Sequence, residues 1–163
     1  MTPITNTQLN QILLDLIVKA KATYPPIGSA YQLLYDTGAR FHEITYLQDW
    51  KFIDNGHSIQ YQTIKNDHTR IFPVSLLTPE SINLIATSGQ SIEHITYHRA
   101  RNLMQELLSG KSLTTNQKQL SLHAFRHNFA RQLLAKGLGP TTIQQYLGLK
   151  SETVFSGYLS KII

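Results

Sequence analysis

His123 and Arg126 stand three residues apart with Ala130 four further on, so a helix through them places all three on one face, while Phe125, Phe129 and Leu133 form the opposite, apolar stripe. On this reading the polar face is open to a ligand. An imidazole moves protons near neutral pH, and a guanidinium offers a rigid fork of donors that matches two phosphate oxygens at once. Together they suit a phosphodiester. A lone helical His and Arg are better explained as surface residues, so the weight lies with what surrounds them.

The pair belongs to a stretch, Leu120 to Tyr158, that reads as a helix ending at Gly137, a short helix from Pro140 to Leu147, Gly148, and a last helix capped by Ser151 that leads to Tyr158. Upstream, Leu9, Ile12, Leu13, Leu16 and Ile17 repeat at helical spacing behind the caps Asn6 and Thr7, and Tyr24-Pro25-Pro26 stops that helix. A second helix from Ile27 runs into Thr37-Gly38, where glycine takes the positive φ that closes a helix. Arg40 follows that turn at the start of a short helix carrying Glu43. From Trp50 the period becomes two: Phe52-Ile53, a turn at Asn55-Gly56, then Ile59, Tyr61 and Thr63. Lys65-Asn66-Asp67 makes a second turn, and Arg70 to Val74 a third strand. Thr78-Pro79-Glu80 opens a helix through Ala86, Gly89 separates it from another that stops before Gly110, and 111–119 is a polar connector. The expected fold class is α+β, mainly helical, with a small three-stranded antiparallel sheet.

At 163 residues and 41% hydrophobic content, the chain is expected to form a single domain, 1–163. It has no run of about eighteen apolar residues and no secretory leader, so a soluble, cytoplasmic protein without a membrane partner is expected. The absence of cysteine excludes disulfides, thiolate metal sites and a cysteine nucleophile. Charge is uneven: Met1 to Glu93 carries six Lys/Arg against eight Asp/Glu, and His94 to Ile163 carries nine against two. A basic half favours a polyanion, nucleic acid first, because neutralised phosphates release counterions.

Thr37-Gly38-Ala39-Arg40 with Glu43 and Leu47, Lys65 in a hairpin ending Arg70-Ile71-Phe72-Pro73, His123-Ala124-Phe125-Arg126-His127, and Leu147-Gly148 before Tyr158 together resemble the catalytic domain of the tyrosine recombinases, the phage-integrase type. The resemblance covers nearly the whole chain. Its spacings are specific: 25 positions from Arg40 to Lys65, three from His123 to Arg126 and 32 from Arg126 to Tyr158. It implies site-specific cleavage and rejoining of double-stranded DNA in a mobile element, on a dimer or tetramer. Tyr158 would be the nucleophile that holds a 3′-phosphotyrosyl intermediate, with Arg40 and Arg126 clamping the phosphate. His123 would accept the phenol proton, Lys65 would act as general acid, and Glu43 would support Arg40. The exchange conserves bond energy, so it implies no cofactor, neither ATP nor metal. Arg70, Arg131 and Lys150 are candidate DNA phosphate contacts, a plain surface role being about as good an account.

The sequence also departs from the pattern. Nine residues before Tyr158 the family usually carries histidine or tryptophan, and here Leu149 stands there. Leucine donates no hydrogen bond, and losing one such donor costs about 10²–10³ in rate at comparable anion sites; Lys150 or His127 are candidate stand-ins. The family's N-terminal DNA-clamping domain is expected to be absent, the chain being either an excised fragment or a reduced protein, and five residues follow Tyr158. Three alternatives stay open. They are a non-cutting DNA-binding regulator derived from a recombinase, a type IB topoisomerase, and a zinc site on His94/His98 or His123/His127, whose spacing of four can present two imidazoles.

Overall fold

The computed structural model describes residues 4–63, 68–109 and 120–149. Within them lie seven helices, α1 (Asn6–Thr23), α2 (Pro25–Thr37), α3 (Phe41–Ile44), α4 (Pro79–Ala86), α5 (Tyr97–Ser109), α6 (His123–Ala135) and α7 (Pro140–Leu147), and three strands, β1 (Lys51–Ile53), β2 (Ser58–Gln62) and β3 (Thr69–Pro73). The fold is mainly helical with one small antiparallel sheet, as the residue pattern indicated. No described helix is long and apolar enough to cross a membrane.

Helix α1 begins at a different cap from the one expected. Thr5, not Asn6 or Thr7, holds its start: Thr5 Oγ1 accepts from the Gln8 N–H at 3.1 Å, and Gln8 Oε1 accepts from the Thr5 N–H at 2.9 Å. This Thr-x-x-Gln reciprocity satisfies two orphan donors, which a cap one or two residues later would leave unpaired. Leu9, Leu13, Leu16, Ile17 and Ala20 are buried along one side. Pro25 cannot continue α1 but suits the first turn of a helix, so the chain folds back after Tyr24 into α2. Helix α2 ends at Gly38 with φ 65°, and a Cβ there would sit 2.6 Å from the Phe129 ring. Both the turn and the packing therefore require glycine.

The sheet runs in the order β1-β2-β3, with Ile59 opposite Phe72 and Tyr61 opposite Arg70. Its inner face buries Ile59, Tyr61, Arg70 and Phe72, and Trp50 stacks on Tyr61 with ring centroids 4.0 Å apart. The Asn55-Gly56 turn lies within a loop over 54–57, where Asp54, Asn55 and Gly56 all take positive φ. Val74, expected to end the third strand, instead opens a 3-10 turn, Val74–Leu76.

The main core joins α1, α2, the inner sheet face, α4, α5 and the start of α6, and a smaller cluster of Phe129, Leu133, Ile143, Leu147 and Leu149 lies between α6 and α7. Helix α6 differs from its expected two-faced form. Arg126, Asn128, Ala130 and Arg131 are buried along with Phe125, Phe129 and Leu133. Helices α1 and α2 pack on one side of this helix and α7 on another, so Arg126 and Ala130 of the polar stripe are covered, while His123 at the helix start stays exposed.

Candidate functional site

Arg40 sits at the N-cap of α3, two residues after the Gly38 turn, with 20% of its side chain exposed. Glu43, one turn on and 2% exposed, accepts the Arg40 N–H at 3.0 Å and reaches Arg40 Nη1 at 3.4 Å. A second support for this carboxylate comes from the sheet: the Tyr61 hydroxyl donates to Glu43 Oε1 at 2.8 Å. Burial, with the Glu43 charge adding to it, holds the Tyr61 phenol well above its ordinary range against the opposing pull of Arg70 and Arg126. The hydroxyl therefore keeps its proton and serves as a donor.

Two buried guanidinium groups join the end of α2 to the end of α7. Arg126 donates from Nη1 to the Gly38 carbonyl at 2.7 Å and from Nη2 to the Leu147 carbonyl at 2.8 Å. Arg70 donates from Nη2 to the Thr37 carbonyl at 2.6 Å, from Nη1 to the Tyr61 hydroxyl at 2.6 Å, and from Nε to the Tyr146 carbonyl. Consecutive carbonyls of each helix end are thus taken by the two arginines in parallel. Helix C-termini carry partial negative charge and unpaired carbonyls, so a guanidinium is a fitting partner there. Both ends close on a left-handed glycine, Gly38 and Gly148, and a Cβ on Gly148 would meet Arg70 Cγ at 2.5 Å and Thr63 Cγ2 at 2.9 Å.

Three expected site residues share this framework. Arg40 and His123 line one cleft of about 260 Å³, together with Ala39, Phe41, His42, Tyr97 and Leu122. Arg126 lies behind it, one turn along α6, at 1% exposure. Lys65, Lys150 and Tyr158 lie outside the described residues, as do the connector 111–119 and the helix expected after Ser151. The described neck of the Lys65 hairpin is closed by Thr63 N–H to the His68 carbonyl at 2.7 Å and His68 N–H to Thr63 Oγ1 at 3.0 Å, and it packs against Gly148.

Arg70 and Arg131 do not occupy the surface expected of phosphate contacts. Arg70 is fully buried, its guanidinium 4.8 Å from the Phe72 ring centre, because its strand position alternates in phase with Phe72. Arg131, 7% exposed, donates to Asn6 Oδ1 at 3.1 Å at the start of α1. Leu149 packs in the cluster between α6 and α7 at 7% exposure, an apolar role for its position. Of the zinc candidates, His94 Nε2 lies 3.3 Å from the Tyr24 hydroxyl, and the described residues hold no group of three or more side chains of metal-ligating type. Among the described residues, the lining of a larger groove of about 620 Å³, between β3 and α7, includes none of the expected catalytic side chains.

Sequence reasoning missed Tyr61, whose inward phase beside Ile59 was the available signal, and also missed His42 and Tyr97, for which no local pattern exists.

A sequence model described as the phage integrase family matches residues 3–161. A comparison with curated proteins gave no match. Among solved structures, the fold is similar to a Tn1549 transposon integrase in complex with transposon right end DNA (TM-score 0.66, 18% identity, covering 96% of this chain and 61% of that one). It is also similar to the XerA recombinase (TM-score 0.60, 17% identity, 90% of this chain and 56% of that one). The chain therefore spans about three fifths of the length of these structures.

Proposed function

We propose, from the premise that this chain belongs to the phage integrase family, that it is the catalytic domain of a site-specific recombinase, cutting and rejoining double-stranded DNA through a 3′-phosphotyrosyl intermediate. The observation that carries this reading is the convergence of Arg40 and His123 on one cleft, with the ends of α2 and α7 tied behind it. The Tyr158 phenol attacks the scissile phosphorus in line, and the bond to the deoxyribose 5′-oxygen breaks. Charge gathers on the nonbridging oxygens, where fixed donors lower the barrier most. Arg40, anchored by Glu43, supplies such donors from the cleft wall. His123 takes the phenol proton, since a phenol of ordinary pKa near 10 is a weak nucleophile at neutral pH. Lys65 protonates the departing oxygen as general acid. The freed 5′-hydroxyl then attacks the phosphotyrosine to rejoin the same strand or another, so the exchange uses neither ATP nor metal.

Arg126 contributes first by fixing both turns, and a direct phosphate contact requires its 1% exposure to rise when DNA binds. The Tn1549 integrase structures hold transposon right end DNA and circular intermediate DNA, which favours a double-stranded DNA substrate here, with a dimer or tetramer assembled on it.

The test is a denaturing gel of the chain incubated with labelled, nicked duplex pools in EDTA, wild type beside Tyr158→Phe. The expected result is protein attached to the DNA 3′ end in wild type alone. A second reading, the non-cutting DNA-binding regulator, is favoured by the apolar packing of Leu149 and the burial of Arg126. It gains if a native gel shows binding while no covalent band forms.

A further inference from the structure

The wall of the Arg40–His123 cleft carries a second imidazole. His42, two residues after Arg40, lines the same cleft, and its side chain is exposed. Its ring is not loose. It lies nearly parallel to Tyr97 (16°, centroids 6.1 Å apart) with Phe41 edge-on at 6.2 Å, and the Thr45 hydroxyl holds its carbonyl at 2.6 Å. Tyr97 is held in turn by the edge of Phe41 at 5.8 Å. The neighbouring carboxylate, Glu43, is turned inward at 2% exposure onto Arg40 and Tyr61. Among the described residues, the polar side chains lining the cleft are therefore a guanidinium, two imidazoles and a phenol, all able to donate. Such a set complements an anion that accepts on several oxygens. Leu149, whose position the resemblance associates with one more donor, is packed into the α6–α7 cluster and provides none.

We propose that His42 is a second imidazole ligand of the phosphate bound between Arg40 and His123, supplying from α3 the hydrogen bond that Leu149 cannot make. This rests on the reading of the cleft as the DNA phosphate site. His42 donates to a phosphodiester oxygen, with the Tyr97 ring fixing its plane, and it takes no part in proton transfer.

The test uses the full chain and inorganic phosphate, titrated against sodium chloride of equal ionic strength at constant pH, with the imidazole resonances of His42 and His123 followed by NMR. Both are expected to move with one midpoint. In His42→Phe, which keeps a ring beside Tyr97, the midpoint read from His123 is expected to weaken about tenfold, the scale of one charge-assisted hydrogen bond. His42→Gln keeps an N–H donor and is expected to recover part of that loss, which a stacking role alone would not produce. If His123 moves while His42 does not, or if His42→Phe stays within about twofold of wild type, the inference is overturned and the phosphate site stands. If neither resonance moves, the phosphate reading falls and the inference with it.

Discussion

Tyr61, which the motif does not single out, holds the frame of the site through one hydroxyl that serves two buried ions. It donates to Glu43 and accepts from Arg70, at 2.8 and 2.6 Å. Removing it strands both partners in a low-dielectric setting, so Tyr61→Phe is expected to cost about 2–3 kcal/mol in urea unfolding at neutral pH. A loss under about 0.5 kcal/mol would mean that Glu43 and Arg70 find other partners. The same residue ties stability to alkali. Its folded pKa is raised above the ordinary value of 10.0, chiefly by burial. As pH rises, the unfolded chain releases this proton first, so the stabilisation is whole below about pH 10 and lost above it. Urea midpoints at pH 8 and pH 10.5 are expected to fall less in Tyr61→Phe than in wild type. An equal fall would assign the alkaline loss to other tyrosines, of which Tyr31 is also raised by burial.

At the scale of elements, the paired arginines explain how the C-terminal turns of α2 and α7, far apart in the chain, are held together. Arg70 and Arg126 each bridge the last carbonyls of α2 to those of α7. Lysine has a single ammonium head and cannot span two helix ends with a planar fork. Arg70→Lys is therefore expected to cost about 2–4 kcal/mol, from unpaired carbonyls and the lost Tyr61 bond. Because both arginines secure the same two ends, Arg70→Lys combined with Arg126→Lys is expected to cost less than the sum of the singles by about 1 kcal/mol. Strict additivity in a double-mutant cycle would show the two bridges acting independently. The sequence was informative about the frame of these elements. Thr78 caps α4 by accepting from Ser81 N–H, Gly38 and Gly148 close their helices, and the two-residue alternation located β2 and β3. It was misleading about α6 and Arg70 for one reason. A guanidinium satisfied by carbonyls 33 and 76 residues away leaves no local trace, and charge alone reads as surface. The inward phase shared by Arg70 and Phe72 was the one sign against that reading.

For the whole molecule, the same burial changes what the basic composition means. The portion from His94 onward holds nine Lys/Arg against two Asp/Glu, which suggests a broad basic face. Two of those cations, Arg126 and Arg131, are spent inside the fold, on main-chain carbonyls and on Asn6. So held, Arg131 is expected to add to the background field without displacing counterions from a bound polyanion. Arg40, counted in the acidic portion, lines the cleft. Affinity for DNA falls with salt by a slope of about 0.9 per phosphate neutralised, so these assignments are separable by experiment. On a random-sequence duplex, measured by fluorescence anisotropy from low to moderate salt, Arg40→Gln is expected to flatten the log–log slope by about 0.9. Arg131→Gln is expected to leave the slope within about 0.3 of wild type and to lower the Tm, because it breaks the bond between α6 and the start of α1. The reverse pattern, a flattened slope for Arg131→Gln and an unchanged one for Arg40→Gln, would move the phosphate path off the Arg40 cleft and onto the side of α6 that carries Arg131.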